Sequence, residues 1–253
     1  MTTSPATERT LAVAAPPRVV AWLAAAPDGP VSVLHACTDV VHLDVGGRCV
    51  SVLAAGVPGL PNGLRTNLLS VSSGTSRSPY VGSGTLRWDG RVLVTGRHVD
   101  VRAPRVDPWV PQASPAAVQG TPRSRVAGLV LPSEVSERTV PCLVGRGGGL
   151  TPLGDDVLVG WLALHRAAGV ATPAVDGAVR RALGRTTTLS ATLLACALVG
   201  EVADPVRDHL GALGSDREHA TRARLEAWGA SSGQGVAHGV DLARRALRDR
   251  EAA

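Results

Sequence analysis

The residues best equipped for chemistry stand together in Gly147-Gly148-Gly149-Leu-Thr151-Pro-Leu-Gly154-Asp155-Asp156, directly ahead of an apolar helical pattern from Val157 to Ala168. With Gly145, four of the five positions 145–149 are glycine, which frees the backbone and lets another group approach closely. A helix start whose N–H groups are free favours an anion. Two adjacent carboxylates at that same end repel a bare anion and invite a divalent cation such as Mg²⁺ between them, or a protonated substrate group. Asp155 and Asp156 thus have three readings: a metal pair, a general base, or acids favoured by the helix dipole. Neighbouring side chains on a helix point about 100° apart, so one of the two can face a site while the other does not.

Two further helix starts carry hydroxyls. One is Arg185-Thr-Thr187-Thr-Leu-Ser190, and the other is Gly229-Ala-Ser231-Ser232-Gly233-Gln-Gly-Val-Ala-His238-Gly239. The second echoes the first loop: with one residue deleted, Thr151 falls on Ser231, Gly154 on Gly233 and Gly160 on Gly239. If the three termini converge, they make a pocket for a phosphate or carboxylate. Its candidate contacts are Arg146, Gly147, Gly148, Gly149, Thr151, Gly154, Thr187, Ser190, Ser231, Ser232, Gly233 and His238, with Arg185 nearby. Capping alone accounts for hydroxyls at any single turn. It does not ask for Gly147-Gly148-Gly149 together with paired aspartates. His165 falls on the Leu158/Leu162 face and reads as a core or groove residue.

Composition narrows the classes of function. The 26 basic residues are all arginine and lie scattered along a chain of net charge +5. Without lysine there is no Walker-type phosphate loop, Schiff base or kinase-type ATP lysine. Phe is absent and aromatics are 2%, so stacking platforms for nucleic acid are missing as well. Gly229-Ala-Ser-Ser-Gly233 spells a nucleophile elbow, but it follows a helical pattern and no acid and then histidine come after it in the order that fold needs. Cys37, Cys49, Cys142 and Cys196 have no metal spacing and read as reduced thiols. The run Val19–Ala26 is too short for a membrane span, and Glu8 with Pro16 and Pro17 spoils a signal peptide, so the expected location is the cytoplasm.

Periodicity divides the chain into a β-rich region, 1–120, and a helical region, 121–253, giving an α+β fold. A short helix from Pro17 to Ala26 precedes a hairpin, Val40–Val45 and Arg48–Leu53 around Gly46-Gly47, with Leu43 opposite Val50 and Val41 opposite Val52. One face of the hairpin is apolar; the other carries His42, Asp44, Cys49 and Ser51. A second hairpin joins Thr85–Trp88 to Arg91–Thr95 through an Asp89-Gly90 type I′ turn. Residues 104–123 read as a connector. The expected helices are Asp155–Ala168, Pro173–Leu183, Thr188–Val202, Pro205–Leu213, Arg217–Trp228 and Gln234–Arg248.

At Gly147-Gly-Gly-Leu-Thr-Pro-Leu-Gly-Asp-Asp156, with Thr187-Thr-Leu-Ser190 and Ser231-Ser-Gly233 following in order, the chain resembles a bacterial family long catalogued as a domain of unknown function. Its named member is the H subunit of oxamate carbamoyltransferase, from allantoin and purine breakdown. The resemblance runs from about Val126 to Leu242, and the family's motif usually has serine where this chain has Leu153. It implies a small anionic substrate such as carbamoyl phosphate or oxamate, carbamoyl transfer between them, and other subunits in a transferase complex. The competing class is a non-catalytic regulatory or scaffold subunit that uses the same anion pocket. Neither nucleic acid nor membrane is an expected partner.

Overall fold

The hairpin of β3 (Val40–Val45) and β4 (Arg48–Leu53) has the register expected from its sequence, Leu43 opposite Val50 and Val41 opposite Val52. This is a computed structural model, and it describes residues 10–27, 29–71, 84–87, 91–94, 97–103, 126 and 129–252. Around the hairpin stand β1 (Thr10–Ala14), α1 (Pro17–Ala25), β2 (Gly29–Ala36), β5 (Gly63–Arg65), β6 (Gly84–Arg87), β7 (Arg91–Val94) and β8 (Arg97–Ala103). The strands close a barrel in the order β1-β5-β4-β3-β2-β6-β7-β8, sealed by parallel pairing of β1 with β8. The second hairpin forms, but Arg87 pairs with Arg91, so three residues join its strands instead of the two a type I′ turn requires. The turn itself, and the 104–123 connector, lie outside the described residues.

The apolar face of the first hairpin, Val41, Leu43, Val45, Val50 and Val52, packs with Val19 and Leu23 of α1 into the core of the first of two compact units, Met1–Asp107. On the polar face His42, Cys49 and Ser51 are buried too, while Asp44 is half-buried. His42 Nδ1 bonds Ser51 Oγ at 2.8 Å, and Asn62 Nδ2 donates to Ser51 Oγ at 2.9 Å and to the Cys49 carbonyl at 3.0 Å. Burial lowers the His42 imidazole to about 4 and pushes the Cys49 thiol up to about 12, so the cluster is held neutral.

The second unit, Pro108–Ala253, contains α2 (Val140–Leu143), α3 (Leu153–Ala167), α4 (Pro173–Ala182), α5 (Thr188–Ala197), α6 (Asp204–Ala212), α7 (Glu218–Glu226) and α8 (Ser232–Glu251). A 3₁₀ turn, Leu183–Arg185, precedes α5. The protein is therefore α+β. Helix α3 begins two residues ahead of expectation, because Pro152 holds the extended conformation that starts it. Helix α5 stops at Ala197, short of Val202, where the chain turns through Gly200 at φ 85°. Every residue of α3 except Val159 and Arg166 is buried, as expected of a helix that is apolar nearly all round.

Helix α3 packs closely against α8, and the contact explains the echo between their starts. A Cβ on Gly160 would lie 2.1 Å from the Val236 carbonyl oxygen, and one on Gly239 would lie 2.0 Å from that of Val157. The offset of 79 residues that carries Gly160 onto Gly239 also carries Val157 onto Val236, so the two contacts are reciprocal, as across a local two-fold axis. The same offset relates Gly154 to Gly233, where a Cβ would meet the Leu143 and Leu225 carbonyl oxygens, at 2.1 and 1.7 Å, at the ends of the preceding helices.

Candidate functional site

Hydrogen bonds bring the three hydroxyl-bearing helix starts together. Thr187 caps α5 by accepting from the Ser190 N–H at 3.1 Å, and its hydroxyl donates to the Leu150 carbonyl at 2.5 Å. Thr151, just ahead of α3, bonds Ser232, the first residue of α8, through their hydroxyl oxygens at 2.7 Å. Asp155 joins the remaining parts. Its Oδ1 accepts the Gly145 N–H at 2.9 Å, while Oδ2 accepts the Ser190 hydroxyl at 2.7 Å and that of Thr186. One fully buried carboxylate thus ties the glycine loop and the α5 turn to α3.

Burial pushes the Asp155 carboxyl above its ordinary range, against three donors that favour its charged form. Asp156 differs in kind. Burial raises its carboxyl well above the ordinary value, the Ser232 and Thr151 hydroxyls oppose that shift, and the Asp155 charge adds to it. Its Oδ2 is buried and accepts no hydrogen bond. The two side chains therefore serve different surroundings, as their spacing on a helix predicts.

The glycine loop is held by its ends. The Arg146 N–H donates to the Leu143 carbonyl, and the Arg146 carbonyl accepts the Gly154 N–H at 2.9 Å. Gly147 is required by the backbone, with φ 118° and the Leu153 nitrogen 2.8 Å from where a Cβ would be. Gly148 is not: its φ is ordinary and a Cβ there would meet nothing within 4 Å. Residues 146–150 are exposed next to three helix starts, and Gly147, Gly148 and Gly149 among them present bare backbone.

Other candidates are placed elsewhere. The N–H groups of Gly154 and Gly233 are taken by the Arg146 and Trp228 carbonyls, and both glycines serve packing. Ser231 stands ahead of α8 without a side-chain cap; its neighbour Ser232 reaches Thr151. His238 is half-buried further along α8, its imidazole lowered by burial and supported by the Asp241 charge. His165 is a core residue, stacked 3.7 Å from the Trp161 ring, with Nδ1 on the Trp161 carbonyl at 2.9 Å.

The sequence places the 186–190 turn at the site without singling out Thr186, whose hydroxyl reaches Asp155. Sequence reasoning missed two ion-paired clusters. Arg222 grips Asp241 through two 2.9 Å bonds between α7 and α8, and Arg166 holds Asp176 at 2.5 Å between α3 and α4. Nothing in the local spacing pairs residues this far apart. Among the described residues, no three His, Cys, Asp or Glu side chains are grouped to hold a metal ion. Both Asp155 oxygens accept hydrogen bonds from within the chain, from Gly145 and from Ser190 and Thr186. No helix among the described residues is long and apolar enough to cross a membrane.

Converging helix starts, exposed glycines and paired hydroxyls are features through which helix N-termini can hold a small anion. Residues 143–244, which include all three starts, match the family model described as oxamate carbamoyltransferase subunit AllH, and over that stretch the resemblance read from the motif residues is shown. No curated protein and no solved structure matches the chain.

Proposed function

We propose that this chain is a subunit of an oxamate carbamoyltransferase-type enzyme, working with partner subunits. Its contribution is a binding site for a small anion, carbamoyl phosphate or oxamate, where the starts of α3, α5 and α8 meet. The observation that carries this is the hydrogen-bonded closure of the three starts through Thr187, Asp155 and the Thr151–Ser232 pair. The anion takes N–H groups of the Gly147–Thr151 backbone, and Gly148, which the fold does not require, leaves room for close approach. Arg146 and Arg185, both exposed next to the loop, add positive charge.

Asp155, with both oxygens occupied, is a positioning residue. That occupancy favours division of labour: this chain binds and orients the anion, and a partner subunit completes the reacting groups. Thermal unfolding of the purified chain against carbamoyl phosphate, oxamate, oxalate and phosphate tests the site. A ligand at a hundred times its dissociation constant stabilises the folded state by about 2.7 kcal/mol. Absence of a shift with every one of these anions would overturn the proposal.

A further inference from the structure

Asp156 is 5% exposed, and its Oδ2 has no donor. Its environment fixes its place. Helix α8 presses bare backbone against the base of the side chain, since a Cβ on Gly235 would lie 2.8 Å from the Asp156 Cβ. The groups that steady its charge are the hydroxyls of Ser232 and Thr151, which belong to the two helix starts that meet there. The carboxyl therefore lies at the seam of α3 and α8, beside the helix starts whose Thr151 and Ser232 hydroxyls meet at 2.7 Å. A buried acceptor without a donor is costly to leave so, and it is matched when a bound group brings the missing N–H.

We propose that Asp156 Oδ2 accepts an N–H of the bound anion, so that the site selects small anions bearing an amide or carbamoyl NH₂ beside the anionic head over isosteres bearing a methyl group there. This rests on the anion site argued above. The anionic head takes the loop N–H groups, and the NH₂ gives one hydrogen to Oδ2 beside the Thr151–Ser232 pair. A polar site discriminates strongly against an analogue lacking its donor, because the acceptor is then left unmatched.

Oxamate and pyruvate make the test, being alike in shape and charge and differing in NH₂ against CH₃. Calorimetric titration of the full chain with each, and with inorganic phosphate as the plain anion, should show oxamate bound roughly tenfold or more tightly than pyruvate. Asp156→Ala should bring that ratio close to one while phosphate binding persists. Asp156→Asn keeps a carbonyl acceptor and should retain part of the preference, which also keeps the test open if the alanine variant does not fold. Equal binding of oxamate and pyruvate by the unaltered chain, or a preference that survives Asp156→Ala, would overturn the role of Asp156 and leave the anion site standing. Failure of all three anions to bind would overturn both.

Discussion

Gly160 and Gly239 offer the sharpest test of how the site is held. An alanine at either position puts a methyl group 2.1 or 2.0 Å from a backbone carbonyl oxygen of the facing helix, where real contacts stay beyond 3.0 Å. Backbone cannot rotate away as a side chain can, so α3 and α8 must separate by about 1 Å. Overpacking of this kind costs about 3 kcal/mol, and alanine's better helix propensity returns about 1 kcal/mol, leaving a net loss of about 2 kcal/mol for each single variant. Urea unfolding followed by helical circular dichroism measures it, with a fall in Tm of about 4–8 °C in parallel. The two contacts are reciprocal, so a single separation relieves both. The double variant should therefore cost less than the sum of the singles by about 1 kcal/mol or more. The same separation stretches the Thr151–Ser232 bond, so phosphate affinity should fall in each variant. Strictly additive losses, or single losses below about 0.5 kcal/mol, would refute the close-packed seam.

Two other expectations concern the carboxylates. In the folded chain Asp156 keeps its proton at pH values where an unfolded chain, with the carboxyl near 3.8, has released it. Its contribution to stability is therefore greatest at low pH and is lost as pH rises from 3.8 through the raised folded value. Asp156→Asn removes that dependence, so the stability of the variant relative to the unaltered chain should increase from about pH 4 toward neutrality; urea unfolding across this range giving a flat or falling difference would contradict it. Asp155→Asn leaves at least one of the Gly145, Thr186 and Ser190 donors without an acceptor. It should cost about 1–3 kcal/mol and weaken phosphate binding, and unchanged denaturation and affinity would refute its positioning role.

What the sequence made legible was whatever depends on near neighbours. The β3–β4 register follows from alternation and a Gly-Gly turn, and the helix starts follow from proline, hydroxyl and glycine signals. Closure of the barrel was not legible, because parallel pairing of Thr10–Ala14 with residues beyond 97 has no local signature. Likewise, the buried face of the first hairpin depends on Asn62, ten or more residues further along, reaching back to Ser51. The convergence of the three starts has no local signature either, since the bonds that make it span 31 to 81 residues.

The echo between the α3 and α8 starts separates what builds the helix pair from what the pair is for. Matched positions share packing: Gly154 with Gly233, Val157 with Val236, Gly160 with Gly239. At the offset that matches these glycines, Asp155 and Asp156 fall on Gln234 and Gly235, one exposed and one without a side chain. A helix pair of this geometry therefore needs no carboxylate at either place, and the α8 half shows how it packs without them. The acids are an asymmetry laid on a symmetric frame, one spent on closing the loop over α5 and the other left with an oxygen toward the seam. Their cost in desolvation is not repaid by packing. That asymmetry is the physical ground on which the proposed roles of the two acids rest.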